Sequence, residues 1–190
     1  MRVLVTAGPT HEPIDPVRFI GNRSSGKMGI AIAETFAEQG HEVILVKGPT
    51  NISTSKTNIA TIEVETAAQM FDACKQYFSD CDVVIFAAAV ADYTPKHVSD
   101  LKIKKNEAQF SIELVKTKDI AAVLCAEKKA NQTCVGFALE TNNEATNAAE
   151  KLKKKNLDCI VLNSMRDKGA GFGVDTNKVT IMGHNGDYIV

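Results

Sequence analysis

The chain has 190 residues, enough for one domain of ordinary size whose core needs neither disulfides nor a structural metal. Its 22 basic and 23 acidic residues nearly cancel, which excludes bulk attraction to nucleic acid or an anionic membrane and requires any anion site to be local. The longest apolar stretch, Cys81 to Ala91, is about half of what a bilayer needs and contains Asp82, so it reads as a buried strand.

The chain opens on a strand, Arg2 to Thr6, without the charged-then-apolar organisation of a secretion signal, and a cytoplasmic setting is expected. Gly8-Pro9-Thr10 ends that strand, and a long loop leads to GNRSSGKMG, Gly21 to Gly29. The spacing of Met28, Ile32 and Phe36 then predicts a helix, closed by Gly40 as a C-terminal glycine. A Val/Ile-rich strand follows over Val43 to Val46 and a weaker one over Thr61 to Val64. Thr66 is placed to cap a helix carrying Met70, Cys74 and Tyr77, and Val83 to Ala89 is the fourth strand.

Leu101 to Val115 reads LKIKKNEAQFSIELV, two short alternating stretches around Asn106-Glu107, and predicts an inserted β-hairpin too polar for the core. Beyond it come a helix with Ile120, Val123 and Leu124 and a strand over Cys134 to Ala138. Asn143 is placed to cap a helix carrying Ala145, Ala148, Ala149 and Leu152, and a strand over Cys159 to Leu162 follows. Lys178 to Val190 resembles a second hairpin turning near Asn185-Gly186. Cys74, Cys81, Cys125, Cys134 and Cys159 lie apart in apolar surroundings with no CxxC pair, which suits reduced core residues better than metal ligands.

Strand and helix in alternation predict a single α/β domain: a Rossmann-like, doubly wound, mostly parallel sheet with helices on both faces. In such sheets ligands collect beyond the carboxyl ends of the strands. After the first strand, Ser24, Ser25 and Gly26 offer hydroxyls and open backbone N–H groups at a helix N-terminus, where a phosphate fits; the same stretch could merely cap the helix. Gly21 to Lys27 matches most of the phosphate-loop pattern, but Met28 stands where a hydroxyl should hold Mg²⁺, so an ordinary P-loop is rejected. No GxGxxG follows the strand, and the second strand ends Val46-Lys47-Gly48 without an acid for an NAD ribose. A nicotinamide cofactor is disfavoured, with Lys47 the one feature that keeps an NADP-dependent reductase open. A non-catalytic nucleotide-binding module is the third reading.

Four motifs occur in order: TAGPTHEPIDPVRFIGNRSSGKMG (Thr6 to Gly29), AAAVADY (Ala87 to Tyr93), KIKK (Lys102 to Lys105) and GFALETNN (Gly136 to Asn143). Over nearly the whole chain they resemble phosphopantothenate–cysteine ligase of the bacterial type, often fused behind a flavin-dependent phosphopantothenoylcysteine decarboxylase domain. The resemblance implies a ligase of coenzyme A biosynthesis that joins 4'-phosphopantothenate to L-cysteine. CTP is cleaved to CMP and pyrophosphate through an acyl-cytidylate, with Mg²⁺ accompanying the triphosphate, in a homodimer.

The resemblance also assigns residues, each of which has a plainer alternative. Asn22 implies a group that binds the pantothenate moiety and steadies the intermediate, where a turn residue would otherwise be read. Arg18 implies a grip on the substrate phosphate from the neighbouring subunit, though alone it reads as surface charge. Ala88, Ala89 and Asp92 imply the phosphopantothenate site, and Asp92 could equally cap a helix or turn. Lys102 implies a charged group on a flap reaching across the dimer, stabilising developing phosphate charge. Gly8, Ser24, Ser25 and Gly26, then Lys116, Thr117, Lys118, Asp119 and Phe137, imply nucleotide contacts, although Phe137 would otherwise be core. Lys151 and Lys155 imply a pair reaching the nucleotide; like charges at i and i+4 cost a few tenths of a kcal/mol, which suits an anion site. No residue is assigned to hold the metal.

Overall fold

The structure, a computed structural model, describes residues 1–104, 109–140, 142–164, 178–184 and 188–189. Twelve strands and four helices are present among them: β1 (Arg2–Ala7), β2 (His11–Pro13), β3 (Phe19–Gly21), α1 (Lys27–Glu38), β4 (Glu42–Lys47), β5 (Ile59–Glu63), α2 (Ala67–Phe78) and β6 (Val83–Phe86). There follow β7 (Tyr93–Pro95), β8 (Leu114–Lys116), α3 (Ile120–Cys125), β9 (Thr133–Glu140), α4 (Glu144–Lys154), β10 (Cys159–Ser164), β11 (Val179–Gly183) and β12 (Tyr188–Ile189).

Eight strands form one sheet in the order β12-β11-β10-β9-β6-β1-β4-β5, parallel from β5 through β10 and antiparallel at the β10–β11–β12 edge. Numbered among themselves in chain order, the parallel strands read 3-2-1-4-5-6 across the sheet, the doubly wound order expected. That order reverses direction between β1 and β6. The crevice outside their carboxyl ends is therefore where the topology places a ligand.

Alternation along the central strands separates two cores. Val3, Val5, Val43 and Leu45 face α1, while Leu4, Ile44, Val46 and Val84 face α2, α3 and α4. In α1 the seam differs from the expected Met28–Ile32–Phe36 stripe: the buried residues are Gly29, Ile30, Ala33 and Ala37. Three of these are small and four apart, so the helix sits close on β1, and a Cβ on Gly29 would lie 2.7 Å from Ala7 Cβ. In α3, Val123 is exposed and Ile120, Ala121, Leu124 and Cys125 carry the burial.

The caps follow the chemistry unevenly. Thr66 and Gln69 form a reciprocal capping box at α2, and Gly40 takes the left-handed conformation after α1 with φ 82°. Asn143 stands at the capping position just before α4 but is itself left-handed, with φ 46°, and makes no side-chain cap. The fourth strand is shorter than expected: its ladder ends at Phe86, and Ala87–Ala89 continue with only a single bridge, Pro9 to Ala89.

The tail hairpin is present as β11 paired with β12, its turn lying outside the described residues. Within Leu101–Val115 the expected turn at Asn106-Glu107, with Lys105, also lies outside them. The observed ladder instead pairs β8 with β7, Tyr93 opposite Lys116 and Pro95 opposite Leu114, so the pairing brackets the segment. A second small ladder, β2 with β3, packs beside β7. Glu12 on β2, buried, accepts the Ala67 N–H at 2.8 Å and so caps α2 from another element. Four cysteines are buried and Cys159 partly so, all as free thiols; burial pushes Cys74 up to about 12. No helix among the described residues is long and apolar enough to cross a membrane.

Candidate active site

A cleft of about 1260 Å³ opens at the switch point, lined by the α1 N-terminal loop, the segment after β6, the β8–α3 loop, β9 and α4. Its lining contains Arg23, Lys27, Lys116, Lys118, Lys151, Lys154 and Lys155 against only Asp92 and Asp119 among acids. In a chain of net charge −1, this is a concentrated cationic field in a concave site, which attracts a polyanion.

The floor is backbone held in place by hydroxyls. Thr6 Oγ1 accepts from Ala88 N at 3.1 Å and the fully buried Thr10 Oγ1 from Ala91 N at 2.9 Å. Thr117 Oγ1 donates to Ala91 O at 2.6 Å, and the Asn22 amide donates to Ala89 O and Val90 O at 3.2 and 3.0 Å. With its Nδ2 donating to two carbonyls, Asn22 keeps Oδ1 as its side-chain acceptor, and the residue lines the cleft. Ala88 and Ala89 offer little side-chain bulk, so a ligand can approach the main chain. The exposed Asp92 carboxylate closes this segment.

Gly26 begins α1 in the left-handed region at φ 75°, packed 3.1 Å in Cβ terms from Gly8 Cα, a position a larger residue would have to push apart. Ser24 Oγ accepts from Gly26 N at 3.3 Å, Ser25 Oγ from Lys27 N at 3.4 Å, and Thr50 Oγ1 donates to Ser25 O at 2.5 Å. The loop is thus fixed from three sides with the positive end of the helix dipole at the cleft.

The opposite wall is made of ion pairs. Lys151 Nζ meets Glu140 Oε1 at 2.6 Å, and Asn147 donates to the other carboxylate oxygen at 2.9 Å. Burial raises the Glu140 carboxyl, but Lys151 and Asn147 outweigh it and the net shift is downward. Lys155 pairs with Asp119 at 3.0 Å, and Asp119 also caps α3 through Ala122 N at 3.1 Å. The like charges expected to repel along α4 are therefore each neutralised within the protein. Lys118 reaches over the Phe71 ring, 4.4 Å from its centroid.

Of the residues read from the sequence, Asn22, Ser24, Ser25, Gly26, Ala88, Ala89, Asp92, Lys116, Thr117, Lys118, Asp119, Phe137, Lys151 and Lys155 line this one cleft. Gly8, Arg18 and Lys102 do not: Gly8 lies beneath the loop, Arg18 pairs with Asp15, and Lys102 is exposed on the segment beside it. Lys47 is buried, 3.0 Å from Glu63 and 3.4 Å from Ile52 O, and so is spent rather than offered to a 2'-phosphate. Thr6, Arg23 and Lys154 line the cleft and were not assigned, nor was Thr10, which supports it from the loop after β1; only the fold shows which N–H groups the two threonines meet.

Fold and cleft together define a Rossmann-like α/β domain with a cationic site at its switch point. The chain belongs to the family described as the DNA/pantothenate metabolism flavoprotein C-terminal domain, matched over residues 1–189. It is 56% identical to a protein of an unidentified prokaryote named cysteine/cysteine sulfinic acid decarboxylase, over 95% of this chain and 50% of that protein. It is 48% identical to the coenzyme A biosynthesis bifunctional protein CoaBC of Bacillus subtilis, over 97% of this chain and 45% of that one. The chain spans about half the length of the curated relatives it matches. The crystal structure of the C-terminal domain of a CoaBC protein superposes with a TM-score of 0.81 at 45% identity, covering 99% of this chain and 84% of that one.

Proposed function

We propose that this domain forms the amide between 4'-phosphopantothenate and L-cysteine in coenzyme A biosynthesis, with CTP as the activating nucleotide. The observation that carries this reading is a cleft lined by seven basic side chains, of which Lys151 and Lys155 pair with Glu140 and Asp119, facing a pinned, small-residue backbone after β6. A carboxylate is a poor electrophile because its leaving group would be oxide. Its oxygen attacks the α-phosphorus, the α–β bridging bond breaks and pyrophosphate leaves. The cysteine amine then attacks the acyl carbon, the acyl–oxygen bond breaks, CMP departs and the amine gives up a proton. Both steps need phosphate charge neutralised and water excluded.

The α1 N-terminus with Ser24, Ser25 and Gly26 is suited to the polyphosphate, Lys151 and Lys155 to its outer charge, and Phe137 to the base or ribose. Asn22 Oδ1 and the Ala88–Asp92 segment suit the pantothenate amide and hydroxyl groups. Among the described residues no group of three or more His, Cys, Asp or Glu side chains could hold a metal. Mg²⁺ with a triphosphate is held largely by phosphate oxygens and water, and Asp92 in the cleft is a carboxylate available to it. When bound, Mg²⁺ offsets triphosphate charge.

Lys102 lies exposed outside its own cleft, which supports a homodimer in which it reaches the partner's, whereas Arg18 is committed to Asp15 and Ile103 O beside it. Val17, Phe19, Val98, Leu101 and Phe110 are exposed on and beside the two small ladders, an apolar surface that a second copy would cover. The decarboxylase of the first relative's name belongs, on this reading, to the half of such proteins that this chain does not match, and the setting is cytoplasmic. Incubation with phosphopantothenate, Mg²⁺ and either CTP or ATP, with and without cysteine, tests the proposal: CTP-dependent pyrophosphate release and a cysteine-dependent amide are expected. Absence of pyrophosphate with both nucleotides would remove it.

A further inference from the structure

Asp15 is the most deeply committed carboxylate outside the cleft. Its side chain has no exposed surface, while its partner Arg18 is 40% exposed. Oδ1 accepts the N–H groups of Val17 and Arg18, both at 2.9 Å, and thereby builds the local turn between β2 and β3. Oδ2 is not used by that turn. It receives Arg18 Nε at 3.0 Å, Arg18 Nη2, and the N–H of Ile103 at 3.1 Å, 88 residues along the chain.

Arg18 Nη2 donates in turn to Ile103 O at 2.9 Å. One Asp–Arg unit therefore holds both main-chain polar groups of Ile103, the residue after Lys102. A third bond, Ser99 N to Ile14 O at 3.0 Å, ties the same stretch to the same turn, and Ser99 Oγ closes a local turn through Leu101 O at 2.7 Å. Farther along, Gln109–Glu113 forms no strand, and its end is secured where Lys96 N donates to Glu113 O, Lys96 Nζ meets Glu113 Oε1 at 2.7 Å and β7 meets β8. The same turn leads through β3 to Asn22. The Arg18 guanidinium holds Asp15 well below the usual carboxylate range, so the link stays ionised throughout the neutral range.

We propose that Asp15 is a positioning residue: through Oδ2 and Arg18 it grips Ile103 against the β2–β3 turn and fixes where Lys102 is presented towards the partner's cleft. This rests on the reading of Lys102 given above and adds the device that sets its place. Asp15 touches no substrate; it acts on a main chain that carries the charge.

Asp15→Asn separates the two oxygens' roles, because its remaining oxygen can keep the local turn while an amide NH₂ replaces Oδ2 opposite two donors. The expected result is a fall in kcat of about tenfold to a hundredfold, as for a misplaced group, with KM for the nucleotide changed much less. Trypsin should also cut after Lys102 and Lys104 faster in the variant than in wild type, at unchanged rates elsewhere. Unchanged kcat together with unchanged cleavage would overturn the proposal, as would kcat and KM moving together with cleavage unchanged. If wild type makes no amide, the ligase reading fails, yet the cleavage comparison still decides the clamp. Should Asp15→Asn not fold, amide exchange in wild type decides it: the Ile103 N–H is expected to exchange far more slowly than those of Gln109–Glu113, and equally fast exchange refutes the grip.

Discussion

On the β1–β6 side of the cleft the main chain is held by buried hydroxyls and glycines in close approach, whereas on the α3–α4 side the surface is long side chains in partly exposed ion pairs. The first construction fixes shape and tolerates no added volume. The second supplies charge, tolerates substitution and weakens in salt.

The sharpest way to break the comparison is to add one methyl group behind the shaped side, at Gly48 after β4. This residue lies outside the cleft lining and packs against the loop after β1. A Cβ on Gly48 would lie 1.7 Å from Pro9 O and 2.9 Å from Pro9 C, and neither backbone atom can swing aside. The loops after β1 and β4 would have to separate. Gly48→Ala is expected to destabilise by about 1–3 kcal/mol, seen as a lower thermal midpoint, with loss of nucleotide binding. An unchanged midpoint would mean that this wall is not packed as described.

That asymmetry also governs how much of the molecule could be read from its residues. Val/Ile runs identify five of the six parallel strands, because strands buried on both faces need such residues throughout, whereas the edge strand β5 is largely exposed and only weakly marked. The α1 seam was misread because Gly29, Ala33 and Ala37 bury closely without being strongly apolar, while the larger Met28, Ile32 and Phe36 lie at its edges. Fourteen assigned residues converge on one cleft, since most follow strand ends and the strand order brings those ends together. Asp15 escaped notice because DPVR reads as a turn, and nothing local announces that its second oxygen meets Ile103.

On the charged side the expected effects on folding are small and those on binding larger. Lys155→Gln breaks an ion pair whose members are 28% and 47% exposed, so stability should change by less than about 1 kcal/mol. A charge-assisted contact to phosphate is worth about 1.5–3 kcal/mol, so affinity for CTP should fall about tenfold or more. Calorimetry at low and high salt checks this, and the variant's loss should shrink as salt rises. Equal affinity of variant and wild type at low salt would exclude Lys155 from the nucleotide site.

The smallest effect tests whether Glu140 is a structural partner of Lys151 in the absence of ligand. Its folded carboxyl lies below the ordinary value because Lys151 and Asn147 outweigh burial. A group whose folded pKa is depressed adds stability above its unfolded value, about 4.3 for glutamate, and loses it as pH falls through the folded value. The stability difference between wild type and Glu140→Gln should therefore stay constant from pH 7 to about 5.5 and narrow below about 4. Urea midpoints at three pH values measure it. A difference that narrowed on raising the pH instead would have the opposite sign and would show that burial, not Lys151, controls this carboxylate before any phosphate arrives.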